Sequence, residues 1–177
     1  MAKSFKEHLH TITTFIFDVD GVLTDGSLFI DNEGNLLRTM NVKDGYAMKV
    51  ALNQGYNVCV ISGGKNEAVK NRLVALGLND VYLGANNKIQ CMNEIIDKYQ
   101  LTKDQILYMG DDLPDIPAMK MVGMPSCPQD AVPEVKAASF YISHKNGGKA
   151  CVRDVIEQVL KVQSKWPTID EISITSA

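Results

Sequence analysis

Nothing in this 177-residue chain is apolar over a long enough stretch to cross a bilayer, which takes about 18 consecutive apolar residues. The polar opening stretch, Met1–His10, has no apolar signal region, so the expected compartment is the cytoplasm. Cysteine is scarce. Cys59, Cys91, Cys127 and Cys151 form no CxxC pair, so buried reduced thiols are expected rather than a disulfide frame. Histidine is scarcer still: His8, His10 and His144 are the full set, and none stands near the acids described below, which disfavours zinc. Positive charge is not in excess. A net charge of −3 gives no basic field for nucleic acid, so an anionic ligand must be met by a local cluster of cations. No repeat and no low-complexity segment interrupts the chain.

What remains is an ordinary composition, 45% hydrophobic and 22% charged, long enough for one domain with a real core. That core is expected over about residues 12–163, with a polar tail over 164–177. Short apolar runs at Thr14–Asp18, Val58–Ile61, Val81–Leu83, Ile106–Met109 and Phe140–Ile142 read as strands. Between them, helical spacing marks Asp44–Gln54, Asn66–Leu76, Lys88–Tyr99, Ile116–Met121 and Lys149–Val162. Leu28–Ile30 and Leu36–Met40 flank the turn-rich Asp31–Asn35 and read as a protruding β-hairpin. Strand–helix alternation of this kind predicts an α/β fold: a Rossmann-like parallel sheet with helices on both faces. The intervals between polar clusters are filled by these elements, which leaves no room for a cap domain.

In such sheets the ligand site lies beyond the carboxyl ends of the strands. Three polar clusters fall there: Asp18-Val19-Asp20-Gly21, Ser62-Gly63-Gly64, and Gly110-Asp111-Asp112 with Asp115. Gathering five carboxylates costs free energy unless a cation joins them, and an all-oxygen set favours Mg2+. The same cation explains how phosphate could enter. Two unit charges 4 Å apart interact by roughly 4 kcal/mol at an effective dielectric near 20, and a phosphate dianion doubles the repulsion from each carboxylate. The remaining phosphate oxygens need other donors. Ser62, the backbone at Gly63 and Gly64, and Lys88 at the start of a helix qualify.

The two acids of the first cluster read as having separate tasks. Asp18 is the expected nucleophile, held against the metal. Asp20 is the expected general acid and then base, with its carbonyl rather than its side chain reaching the metal. Asp111 is the expected side-chain ligand from the second cluster, while Asp112 and Asp115 orient metal-bound waters.

In that order, Asp18-Val19-Asp20-Gly21-Val22, Ser62, Lys88 and Gly110-Asp111-Asp112-Leu113-Pro114-Asp115 resemble the motifs of haloacid dehalogenase-like phosphatases. The stretch through Gly26, the segment Asn41-Val42-Lys43-Asp44-Gly45, and Asn146-Gly147-Gly148 with Val152-Arg153 are similar to its capless KDO 8-phosphate (3-deoxy-D-manno-octulosonate 8-phosphate) phosphatase family. The resemblance runs over roughly Phe15 to Leu160. It implies a Mg2+-dependent phosphoric monoester hydrolase of lipopolysaccharide sugar biosynthesis, with the metal on Asp18, Asp111 and the Asp20 carbonyl. It implies substrate contacts from Asn41, Val42, Lys43, Asp44, Gly45, Lys49, Arg72 and Lys88. It further implies a homotetramer whose hairpins assemble into a barrel and whose neighbouring tails close the pocket. One position departs from the family: Gly64 stands where an arginine usually follows the Ser-Gly pair, and Lys65, Lys43 or Lys49 are the available substitutes for holding a carboxylate. A nine-carbon keto sugar acid 9-phosphate is therefore an alternative substrate, and a catalytically weak accessory domain is the alternative role.

Overall fold

The strand Thr14–Phe17 (β1) is buried along its whole length, as expected for a parallel strand covered on both faces. In the computed structural model, which describes residues 5–169 and 171, it lies at the middle of a six-stranded sheet. A helix at Phe5–Leu9 (α1) precedes it. The chain then runs through the hairpin Phe29–Ile30 (β2) and Leu36–Leu37 (β3), the helix Val42–Asn53 (α2), Asn57–Ser62 (β4), Glu67–Ala75 (α3), Asp80–Leu83 (β5) and Lys88–Tyr99 (α4). It continues through Ile106–Met109 (β6), Ile116–Met119 (α5), Met124–Cys127 (β7), Pro133–Ala138 (α6), Tyr141–Ile142 (β8) and Cys151–Val162 (α7).

The sheet order is β5-β4-β1-β6-β7-β8, and every pair in it is parallel. Alternation along each strand builds two cores. Phe15, Phe17, Val58, Val60, Leu107 and Met109 face α2, α3 and α7. Ile16, Cys59, Ile61, Ile106 and Tyr108 face α4, α5 and α6. The chain leaves β1 toward β4 on one side and returns to β6 on the other. The carboxyl ends of β1 and β6 therefore flank the crevice at which an open α/β sheet takes its ligand.

The expected hairpin, sheet and helix pairs are present, with ends shifted by a few residues. The helices α1 and α6 and the strand β7 were not anticipated. Met124-Pro125-Ser126-Cys127 contains a proline, which argues against a strand inside a sheet. Pro125 is tolerated because its carbonyl, accepting from Phe140 N at 2.7 Å, faces the β8 side, where the ladder begins only at Ser126. The region after Ser164 is less detached than its polarity suggested. Trp166 lies edge-on to Tyr46 and 5.4 Å from the Arg153 guanidinium. The remainder of the tail, residues 170 and 172–177, lies outside the described residues.

Candidate metal and phosphate site

The site is built from strand ends. Asp18 N donates to Met109 O at 3.1 Å, extending the β1–β6 ladder by one residue and holding Asp18 beside the loop after β6. The chain must then turn sharply. Thr24 N closes the turn on Val19 O at 3.0 Å, and Gly21 takes a positive φ of 85°. A Cβ at Gly21 would lie 1.9 Å from Asp111 Oδ2, so glycine is required both by the conformation and by the close approach of the second acid. The result is a crevice of about 300 Å3 lined by Asp18, Asp20, Lys88, Asp111, Asp112 and Asp115.

Carboxylate oxygens of Asp18, Asp111 and Asp115 lie within 4.8 Å of one another. Their surroundings differ. Asp115 is saturated: Oδ1 accepts from Lys88 Nζ and from Tyr108 Oη, both at 2.7 Å, and Oδ2 accepts from the backbone of Asp111 at 3.0 Å and Asp112 at 3.4 Å. Asp18 Oδ1 accepts from Val19 N at 2.7 Å and faces Lys88 Nζ at 3.2 Å. Asp18 Oδ2 and the Asp111 carboxylate accept no protein hydrogen bond among the described residues. Burial, then the charge of Asp115, pushes Asp18 up to about 6. Burial, then Asp18 and Asp115, pushes Asp111 up to about 7. Burial alone would lower Lys88, but Asp18 and Asp115 hold it above its ordinary value. Two acids that resist ionisation, each with free oxygens and no nitrogen or sulfur ligand nearby, fit a hard divalent cation. Asp18 and Asp111 would hold it; Asp115 is committed to fixing Lys88 and the Asp111 loop.

Ser62 ends β4, buried, and its Oγ accepts from Gly64 N at 3.2 Å. Asp20 points across the crevice to the hairpin. There Arg38 Nε meets Oδ1 at 2.6 Å and Nη2 meets Oδ2 at 3.0 Å. Sequence reasoning passed over Arg38, which stands among exposed hairpin residues with no motif around it, and over Tyr108, hidden in an apolar strand.

The segment Asn41–Gly45 lies elsewhere. Asn41 caps α2 through Lys43 N at 2.9 Å and donates to Gly148 O at 3.2 Å. Asn41 and Lys43 line a separate basic groove of about 690 Å3 that also includes Lys145, Lys149, Arg153 and Lys161. Asp44 is buried against α7. Its Oδ1 accepts from Arg153 N at 2.7 Å, so within the chain its side chain works as a helix cap and does not reach the crevice. Val42 and Lys49 are exposed and also outside the crevice. Arg72, on α3, lies against Gly45 and lines a further pocket beside Arg38. The Gly147–Gly148 loop is a structural seat: a Cβ on Gly147 would fall 2.0 Å from Gly21 O, the turn that carries Asp20.

A family model described as haloacid dehalogenase-like hydrolase matches residues 77–156. The chain is 36% identical over 154 residues to the 3-deoxy-D-manno-octulosonate 8-phosphate phosphatase of Salmonella typhi, covering 87% of this chain and 82% of that protein. The crystal structure of the same-named phosphatase of Yersinia pestis superposes with a TM-score of 0.89 at 32% identity, over 93% of this chain and 89% of that one. That of Moraxella catarrhalis, in complex with magnesium ion, phosphate ion and KDO, gives 0.88 at 28% identity over 97% of each chain.

Proposed function

Because the chain belongs to the haloacid dehalogenase-like hydrolases, in the branch of KDO 8-phosphate phosphatases, we propose that it hydrolyses KDO 8-phosphate to KDO and inorganic phosphate through an aspartyl-phosphate at Asp18. The observation that carries the reading is the Asp18–Lys88–Asp115–Asp111 constellation at the carboxyl ends of β1 and β6. Asp18, Asp111 and the Asp20 carbonyl would hold magnesium, which would neutralise charge on carboxylate and phosphate alike.

The chain's own groups divide the rest of the work. Asp18 Oδ2, free of protein donors while Val19 N and Lys88 hold Oδ1, attacks phosphorus. The bond from phosphorus to the sugar oxygen breaks, and Asp20 gives its proton to that oxygen. Lys88 balances charge on the transferring group, with Ser62 and the Gly63–Gly64 backbone as further donors. Asp20 then takes a proton from water, whose oxygen attacks phosphorus. Phosphate leaves, and Asp18 is free again.

The exposed apolar hairpin supports a homotetramer in which a neighbour covers the open crevice, and in that assembly Asn41–Lys43 and Lys49 would reach substrate. Among the described residues no helix is long and apolar enough to cross a membrane. The test is phosphate release from KDO 8-phosphate, a nine-carbon keto sugar acid 9-phosphate and hexose phosphates, with Asp18→Asn as control. Preference for the eight-carbon acid, abolished in Asp18→Asn and in chelator, is expected. Equal or better turnover of hexose phosphates would overturn the substrate assignment.

A further inference from the structure

Arg38 is the most constrained charge on the hairpin, its side chain only 7% exposed. Its fork closes on both oxygens of Asp20. Its third nitrogen, Nη1, donates to Leu36 O at 3.1 Å, and the same carbonyl accepts from Asn66 Nδ2 at 2.9 Å. The hairpin arm is therefore fastened to the start of α3, with the guanidinium fixed over the site. Gly64 makes space for it: a Cβ there would come 3.4 Å from Arg38 Nη2 and 3.3 Å from Asp20 Oδ2.

This geometry poses a problem for proton transfer. While both Asp20 oxygens accept from a permanent cation, neither faces a leaving oxygen with a proton to give. Asp20 lines the metal crevice, while Arg38, paired to it, lines a neighbouring pocket of about 260 Å3 with Leu37, Met40, Asn66, Val69 and Arg72. Arg72 has no ion-pair partner among the described residues, so the pocket holds a second cation in want of an anion. Lys88 and a metal already answer the phosphate.

We propose that Arg38 is a specificity-determining residue: its guanidinium fork receives a carboxylate on the substrate, and this exchange releases Asp20 for proton transfer. One carboxylate replaces another on the same donors, so the exchange conserves hydrogen bonds. A neutral phosphate ester offers no replacement and leaves Asp20 paired. A lysine at this position would keep the charge but lose the planar two-pronged match.

The proposal rests on Asp20 serving the reaction proposed above, but not on the identity of the sugar. The experiment compares kcat and KM for wild type, Arg38→Gln and Arg38→Lys on acidic and neutral phosphate esters. The pairs are KDO 8-phosphate with mannose 6-phosphate, and 3-phosphoglycerate with glycerol 3-phosphate. In Arg38→Gln, KM for the acidic esters should rise, and the acidic-to-neutral ratio of kcat/KM should fall about tenfold or more. Arg38→Lys should recover part of that ratio, and it carries the test alone if Arg38→Gln does not fold by its melting profile. A parallel loss of kcat on all esters with KM unchanged would reduce Arg38 to a support for Asp20 and overturn the proposal. So would wild type showing no preference for acidic esters. Failure on KDO 8-phosphate with discrimination retained in the three-carbon pair would count against the sugar assignment alone.

Discussion

Asp18 is held by opposing forces. Burial and Asp115 disfavour its charge, while Lys88 at 3.2 Å and Val19 N favour it. Its net shift, and that of Asp111, is upward, to about 6 and about 7. Between about pH 4 and pH 7 the folded state binds more protons than the unfolded one, so cation-free protein should lose stability as pH rises through that window. The loss is on the order of 3 kcal/mol, since the two groups do not titrate independently. Lys88, raised above its ordinary value, loses its contribution only at far higher pH and leaves the window unchanged. Melting curves across this range in EDTA should fall with pH, and Mg2+ should flatten or reverse the fall. Asp18→Asn removes the nucleophile and one of the clashing charges together. It should abolish turnover while raising the chelated melting temperature and cancelling the Mg2+ response. A variant that still releases phosphate would refute Asp18 as nucleophile. At this scale the sequence was most legible where acids follow strands, because the strand end dictates where they point. Asp18, Asp20 and Asp111 were readable for that reason, and Lys88 because it opens a helix. Arg38 and Tyr108 were not: each reaches the site from a position whose local pattern says only hairpin or core.

Between α2 and α7, one carboxylate joins two elements. Asp44 stands in the first turn of α2, yet its Oδ1 accepts from Arg153 N at the start of α7, whose own N-cap residue, Ala150, offers no side-chain acceptor. Its Oδ2 is buried without a hydrogen-bond partner, and burial pushes the group up to about 6. Its folded form therefore also favours the proton, and the stability it grants is greatest below about pH 4 and is lost as pH rises through 6. Asp44→Asn should keep an acceptor for Arg153 N and flatten that part of the pH profile. Asp44→Ala should lose the cap and about 1 kcal/mol or more, read as a lower denaturation midpoint. A pH profile unchanged in Asp44→Asn would contradict the titration assigned to it. The Gly147 loop links α7 to the site more tightly still. Gly147→Ala would drive a methyl into Gly21 O and should cost activity as well as stability, because the turn it displaces carries Asp20. Element periodicity revealed the main helices and strands. It could not reveal that Asn41–Gly45 and Gly147–Gly148 meet, since that contact belongs to packing between α2 and α7. Nor could it reveal β7, where a proline contradicts the strand pattern and only the short neighbouring ladder explains its tolerance.

At the scale of the whole molecule, the hairpin is the feature a lone chain does not explain. Its two strands pair through only Phe29–Leu37 and Ile30–Leu36. A ribbon so short is marginal by itself. Polar links at its base, Arg38 to Asp20 and Asn66 to Leu36, fasten it to the body. Beyond that base, Leu28, Phe29, Ile30, Leu36 and Leu37 are all exposed, Phe29 at 68% and Ile30 at 65%. Fully burying one such side chain is worth about 1.5–3 kcal/mol, so several per chain can hold an assembly together. The same assembly would cover a crevice that the chain, lacking a lid, leaves open to water. Light scattering should therefore give a tetramer of 19.5-kDa chains. Phe29→Asp together with Ile30→Asp, neither of which lines the metal crevice, should shift it to monomer. If neighbours complete the pocket, those monomers should retain the fold by circular dichroism yet lose turnover of the sugar acid phosphate. A monomeric wild type with full activity at nanomolar concentration would instead mean that one chain closes its own site. The apolar hairpin would then need another partner.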